Sequence, residues 1–98
     1  MKRRGRSRAE RATMTAIILS GNATIKNIAD LMGIHPVTAR TMVLNTIVQA
    51  HKTNGVKLTG VRGLRKIYGT DNIAGLKKKA GEVIPIVFKY GGFDAIWM

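Results

Sequence analysis

Ala23–Ala50, ATIKNIADLMGIHPVTARTMVLNTIVQA, is the stretch on which the reading of this chain turns. Its apolar residues fall into two helical stripes separated by a glycine. Ile25, Ile28, Ala29 and Met32 recur at three- and four-residue steps, which puts them on one side of a helix. Thr24 precedes them with a hydroxyl that can accept from the unpaired N–H groups of a first turn. Gly33 follows at once and suits a left-handed helix stop. Ile34 then plugs the turn. His35 takes the next cap, and Pro36 opens a second helix at its first position, where a missing N–H costs nothing. Ala39, Met42, Val43 and Ile47 give that helix, expected over Pro36–Gln49, its inward face.

A helix pair needs a third helix to close its core, and the preceding sequence supplies one. Ser7-Arg-Ala-Glu10 has the form of a capping box and starts a helix expected over Arg8–Leu19. Ala12, Ala16 and Leu19 face inward, widened by Ile17 or Ile18, and Ser20-Gly21-Asn22 ends the element. Residues 1–7 form a basic arm with Lys2, Arg3, Arg4 and Arg6. Like charges repel there and nothing apolar is available to bury, so the arm is expected to be disordered alone. It either lies along phosphates and narrow minor grooves or remains a solvated tail.

Beyond the pair, Asn54-Gly55 signals a two-residue turn or a helix cap. Val56–Thr59 and Leu64–Tyr68 read as two short strands around a Gly60–Gly63 loop. Asp71 is positioned to cap a helix over Asn72–Ala80, stopped by Gly81, with Ile73, Leu76 and Ala80 inward. Lys77, Lys78 and Lys79 near its end suit the helix dipole. The last sixteen residues, VIPIVFKYGGFDAIWM, alternate on either side of Gly91-Gly92, which predicts a hairpin. Tyr90 then opposes Phe93, Lys89 opposes Asp94, and Ile86, Phe88, Tyr90, Phe93 and Trp97 share one face. An apolar hairpin cannot stand alone in water. It is expected to pair two subunits as a homodimer or to cover its own core.

The expected fold class is mainly α with a small β component. A three-helix core carries a β-hairpin wing, followed by a short helix and a C-terminal β-hairpin. The expected organisation is an arm over 1–7, a domain over 8–70 and a packing or dimerisation segment over 71–98.

Small Ala29, Gly33 four residues on, apolar Ile34 in the turn, and Ala39 and Met42 beyond it together resemble the helix-turn-helix motif of DNA-binding proteins. With the expected ribbon added, the chain is similar to the winged helix-turn-helix superfamily, and to small phage or prokaryotic regulators within it. That resemblance implies a second helix lying in the major groove. Pro36, Val37, Thr38, Arg40 and Thr41 would then approach base edges, with Arg40 suited to a bidentate bond to guanine. It also implies a phosphate grip by Arg3, Arg4, Arg6, Thr24, His35, Lys57, Arg62, Arg65 and Lys66. A homodimer would engage two half-sites.

Composition points the same way. The 98 residues carry 17 Lys and Arg against 5 Asp and Glu, a formal charge of +12. Such an imbalance favours a polyanion, because neutralised phosphates release their counterions. Double-stranded DNA is the expected partner. RNA, or a host enzyme bound through the C-terminal hairpin, is the alternative. No run approaches the roughly 18 apolar residues that span a bilayer, and the N-terminus lacks the apolar stretch of a signal peptide. A cytoplasmic, nucleoid-associated setting is therefore expected. Cysteine is absent, and two histidines without a carboxylate cluster make a poor metal site. The five acids are scattered, and no phosphate-cradling or dinucleotide motif occurs. The chain is read as a non-enzyme with no cofactor, metal or small-molecule substrate.

Overall fold

A computed structural model describes residues 8–91, and all regular structure among them is helical. Helix α1 is Arg8–Leu19, α2 is Ile25–Met32 and α3 is Pro36–Thr53. After a 3-10 turn at Val61–Gly63 come α4 (Leu64–Tyr68), α5 (Ile73–Lys77) and α6 (Ala80–Gly91).

The first three helices follow from local chemistry. Thr24 accepts from Asn27 N–H at 3.0 Å, and the Asn27 side chain accepts the Thr24 N–H at 3.1 Å, a closed capping box. Gly33 stops α2 at φ 71°. Its N–H reaches the Asp30 carbonyl and that of Ile34 reaches Ala29, the paired bonds of a Schellman motif. His35 caps α3 by accepting from Val37 N–H at 3.1 Å, and Pro36 sits in the first turn. Helix α3 runs one turn past the expected end. Its buried stripe of Ala39, Val43, Ile47 and Ala50 continues into His51, and Asn54 then caps it through its backbone N–H.

Both expected hairpins are corrected. Val56–Leu58 have no assigned regular structure, and Leu64–Tyr68 is a helix. Leu64 and Tyr68 are buried while Lys66 midway between them is exposed, which fits a helix and not a strand, where all three would share one face. The wing is therefore absent. Residues 83–91, expected as the first arm of the C-terminal hairpin, belong to α6. Val83, Val87 and Tyr90 satisfy the helical period and are buried, which outweighs the alternation of Ile86, Phe88 and Tyr90. Gly91 is the last described residue of this helix, and the second arm lies outside the described residues. The helix expected over 72–80 is shorter. Asn72, not Asp71, caps it, accepting from Gly75 N–H at 2.8 Å. Gly81 starts no break and lies inside α6.

One core joins these elements. Ile18, Leu19, Ile28, Val43, Ile47, Leu64, Leu76, Val83 and Val87 pack together, and α6 lies against α1 and α3. Tyr90 fastens the far end of α6 to α1. The Arg8 guanidinium sits 4.7 Å from its ring centroid, and Arg11 Nη2 donates to its hydroxyl at 3.2 Å. No helix among the described residues is long and apolar enough to cross a membrane.

Candidate nucleic-acid interface

Two caps and one tight turn fix how α3 presents its outer side. Thr38, Thr41, Asn45, Gln49 and Lys52 are all exposed. They recur at three- and four-residue steps, so they form one polar ridge along the helix. Val37 joins its N-terminal end with 59% of its surface exposed. The Thr41 hydroxyl donates to the Val37 carbonyl at 3.0 Å, leaving its oxygen free to accept. Val37, Thr38 and Thr41 thus lie along or beside this ridge, whereas Pro36, also exposed, lies about 140° round the helix from Thr41, on the side of Arg40. Asn45, Gln49 and Lys52 continue the same face and were missed. Their signal was the repeat of Thr38 and Thr41 at the next turns. Asn and Gln are the side chains whose paired donor and acceptor match an adenine edge.

Arg40 departs from this ridge. It lies about 100° round the helix from Thr41. There it lines a groove with Ile25 and Leu44 on one side and Asp71, Ile73 and Lys77 on the other.

At the C-terminal end of the ridge, Lys52 and Lys57 line one shallow groove with Val56, Leu58 and Thr59. A neighbouring groove shares Val56–Thr59 and adds Arg62, Lys66 and Ile67. Lys57, Arg62 and Lys66 are therefore gathered on one surface, although by a loop and a short helix rather than by a β-ribbon. Arg65 turns the other way, 4.0 Å from the Asp71 carboxylate. Between Leu31 and Thr70 the chain contains no Asp or Glu. The polar ridge thus leads at Lys52 into two neighbouring grooves that carry Lys57, Arg62 and Lys66 and have no acid in their lining.

Thr24 and His35 are placed as helix caps, with the Thr24 hydroxyl and His35 Nδ1 already bonded to backbone N–H groups. Both residues are exposed. Ile86 and Phe88 are half-buried, and Tyr90 is buried against its own chain's α1. Arg3, Arg4, Arg6, Phe93 and Trp97 lie outside the described residues, as does the capping-box serine, Ser7.

His51 was not singled out by sequence, and it is the most connected polar group of the core. It is 1% exposed. Its Nδ1 lies 2.8 Å from the Ile47 carbonyl and its Nε2 bonds the Tyr68 hydroxyl. A carbonyl only accepts, so in the neutral ring Nδ1 carries the proton and Nε2 accepts from Tyr68. The two rings meet edge to face, 5.4 Å between centroids. This pair ties α4, and the basic groove beside it, to α3. Burial raises the Tyr68 phenol above its ordinary pKa, and the negative charge of Glu82 adds to the shift. Among the described residues no group of His, Asp or Glu is arranged to hold a metal ion.

No protein-family model, no curated protein and no solved structure matches this chain significantly.

Proposed function

We propose that this chain binds double-stranded DNA as a sequence-reading regulator, with α3 seated in the major groove. The observation that carries the reading is the acid-free tract of ridge and grooves on a helix held by a tight turn. A major groove about 12 Å wide admits one helix. Thr38, Thr41, Asn45 and Gln49 supply hydrogen-bonding groups for base edges, and Val37 an apolar contact for a thymine methyl. Lys52, Lys57, Arg62 and Lys66 supply charge for phosphates. The exposed caps Thr24 and His35 stand at the starts of α2 and α3, where backbone N–H groups favour an anion.

The test is selection of bound sequences from a random DNA duplex library at near-physiological salt. An enriched motif that Asn45→Ala relaxes at one base position supports the reading. An inverted repeat within that motif would show two copies bound side by side. Salt-sensitive binding with no enrichment removes sequence reading. Tighter binding to structured RNA than to duplex DNA at matched salt replaces DNA with RNA as the partner.

A further inference from the structure

The position of Arg40 separates it from the base-reading ridge, and the groove it lines has the makings of a backbone site. Arg40 and Lys77 stand on α3 and α5, with Ile25, Leu44 and Ile73 between them. Arg40 and Lys77 are exposed, while the three apolar side chains are half-buried. A phosphodiester backbone offers this same combination, an anionic phosphate beside an apolar sugar face. The one carboxylate in the groove, Asp71, lies 4.0 Å from Arg65 Nε, which offsets its charge. Lys78 and Lys79 extend the cationic surface at the corner between α5 and α6.

We infer that the groove between α3 and α5 is a second phosphodiester-binding site, with Arg40 and Lys77 as its phosphate ligands. The inference rests on the proposed duplex binding and assigns what happens on the other flank of α3. A helix in the major groove has a phosphate strand on each side. The Lys57–Arg62–Lys66 groove and the Arg40–Lys77 groove share no lining residue, so one can serve each strand. Arg40 is then a clamp on the backbone and not a reader of guanine.

Salt titration distinguishes these roles. The affinity of the full chain for a fluorescent mixed-sequence DNA duplex is measured against salt, for the parent protein and for Arg40→Ala, Lys77→Ala and the double variant. Each phosphate contact contributes about 0.9 to the slope of log affinity on log salt. Each single variant should lower that slope by about one, and the double variant by about two. Sequence selection repeated with Arg40→Ala should return the parent motif. An unchanged slope in all three variants overturns the inference while leaving duplex binding intact. A preference lost at one base position on Arg40→Ala also overturns it, and returns Arg40 to base reading. If the parent protein shows no salt-dependent affinity for duplex DNA, the functional reading fails and this site fails with it.

Discussion

Thr15 buries a hydroxyl that finds no hydrogen-bond partner. A buried unpaired polar group costs about 1–3 kcal/mol, whereas an apolar group of the same shape costs nothing comparable. Valine keeps the β-branch and nearly the same volume, so helix propensity and packing change little. Thr15→Val should raise unfolding stability by about 1 kcal/mol, read from the urea midpoint. A loss of stability would mean the hydroxyl has a partner. Tyr68 gives the opposite case, a buried hydroxyl fully used. Its phenol pKa is raised by burial and then by Glu82, so the folded state keeps a proton that the unfolded chain gives up near pH 10. The stability this group contributes is whole below that pH and falls as pH rises towards the raised folded value. Comparing thermal midpoints on both sides of that range should show a decline, shallower in Tyr68→Phe. Equal declines in the two proteins would remove Tyr68 as the cause. Tyr68→Phe should also lower stability at neutral pH, because His51 Nε2 is left buried without its donor.

Pro85 shows how an element can win against a residue that opposes it. It lies in the interior of α6, as the sixth residue of the helix. There it withholds an N–H from the ladder, and its ring crowds the carbonyl four residues back. Helix α6 forms nonetheless, because Val83, Val87 and Tyr90 bury on α1 and α3. Pro85 itself is exposed, so its removal leaves no cavity. Pro85→Ala should stabilise the protein by about 1–3 kcal/mol, and a neutral result would show the ladder already relaxed around the ring. Ambiguous local signals explain why this element was misread. Gly91-Gly92 signals a turn, and VIPIVFKY satisfies periods of 2 and 3.6 together. Leu64–Tyr68 is ambiguous for the same reason, being five residues between glycines. Helices α1, α2 and α3 were legible because caps, stops and periodicity agreed at every position: Thr24, Gly33, Pro36 and the Ala39–Val43–Ile47 stripe admit no strand. Of the proposed interface, Val37, Thr38 and Thr41 were legible from their place in the first turns of α3. The company Arg40 keeps was not, because Lys77 reaches its groove through tertiary packing that no local pattern encodes.

At the scale of the whole molecule, the net charge of +12 sets two salt dependences of opposite sign. Of the six cations between Leu31 and Thr70, Lys52, Lys57, Arg62 and Lys66 are gathered along two neighbouring grooves with no acid in their lining, so folding brings like charge together. Self-repulsion of this kind destabilises the compact state, and salt screens it over a Debye length of about 8–10 Å near physiological strength. The melting temperature of the free protein should therefore rise between low and moderate sodium chloride. With a DNA duplex present, the low-salt melting temperature should instead start high. A ligand that binds only the folded state stabilises it by RT ln(1 + [L]/Kd), about 2.7 kcal/mol at a hundredfold excess over Kd. Salt weakens that binding steeply as counterions compete for the phosphates. The two melting curves should converge as salt increases, the free protein from below and the complex from above. Differential scanning fluorimetry across a salt series reads both at once. A free-protein midpoint that falls with salt would show that ion pairing outweighs repulsion. A duplex that leaves the low-salt midpoint unmoved would remove double-stranded DNA as the proposed partner.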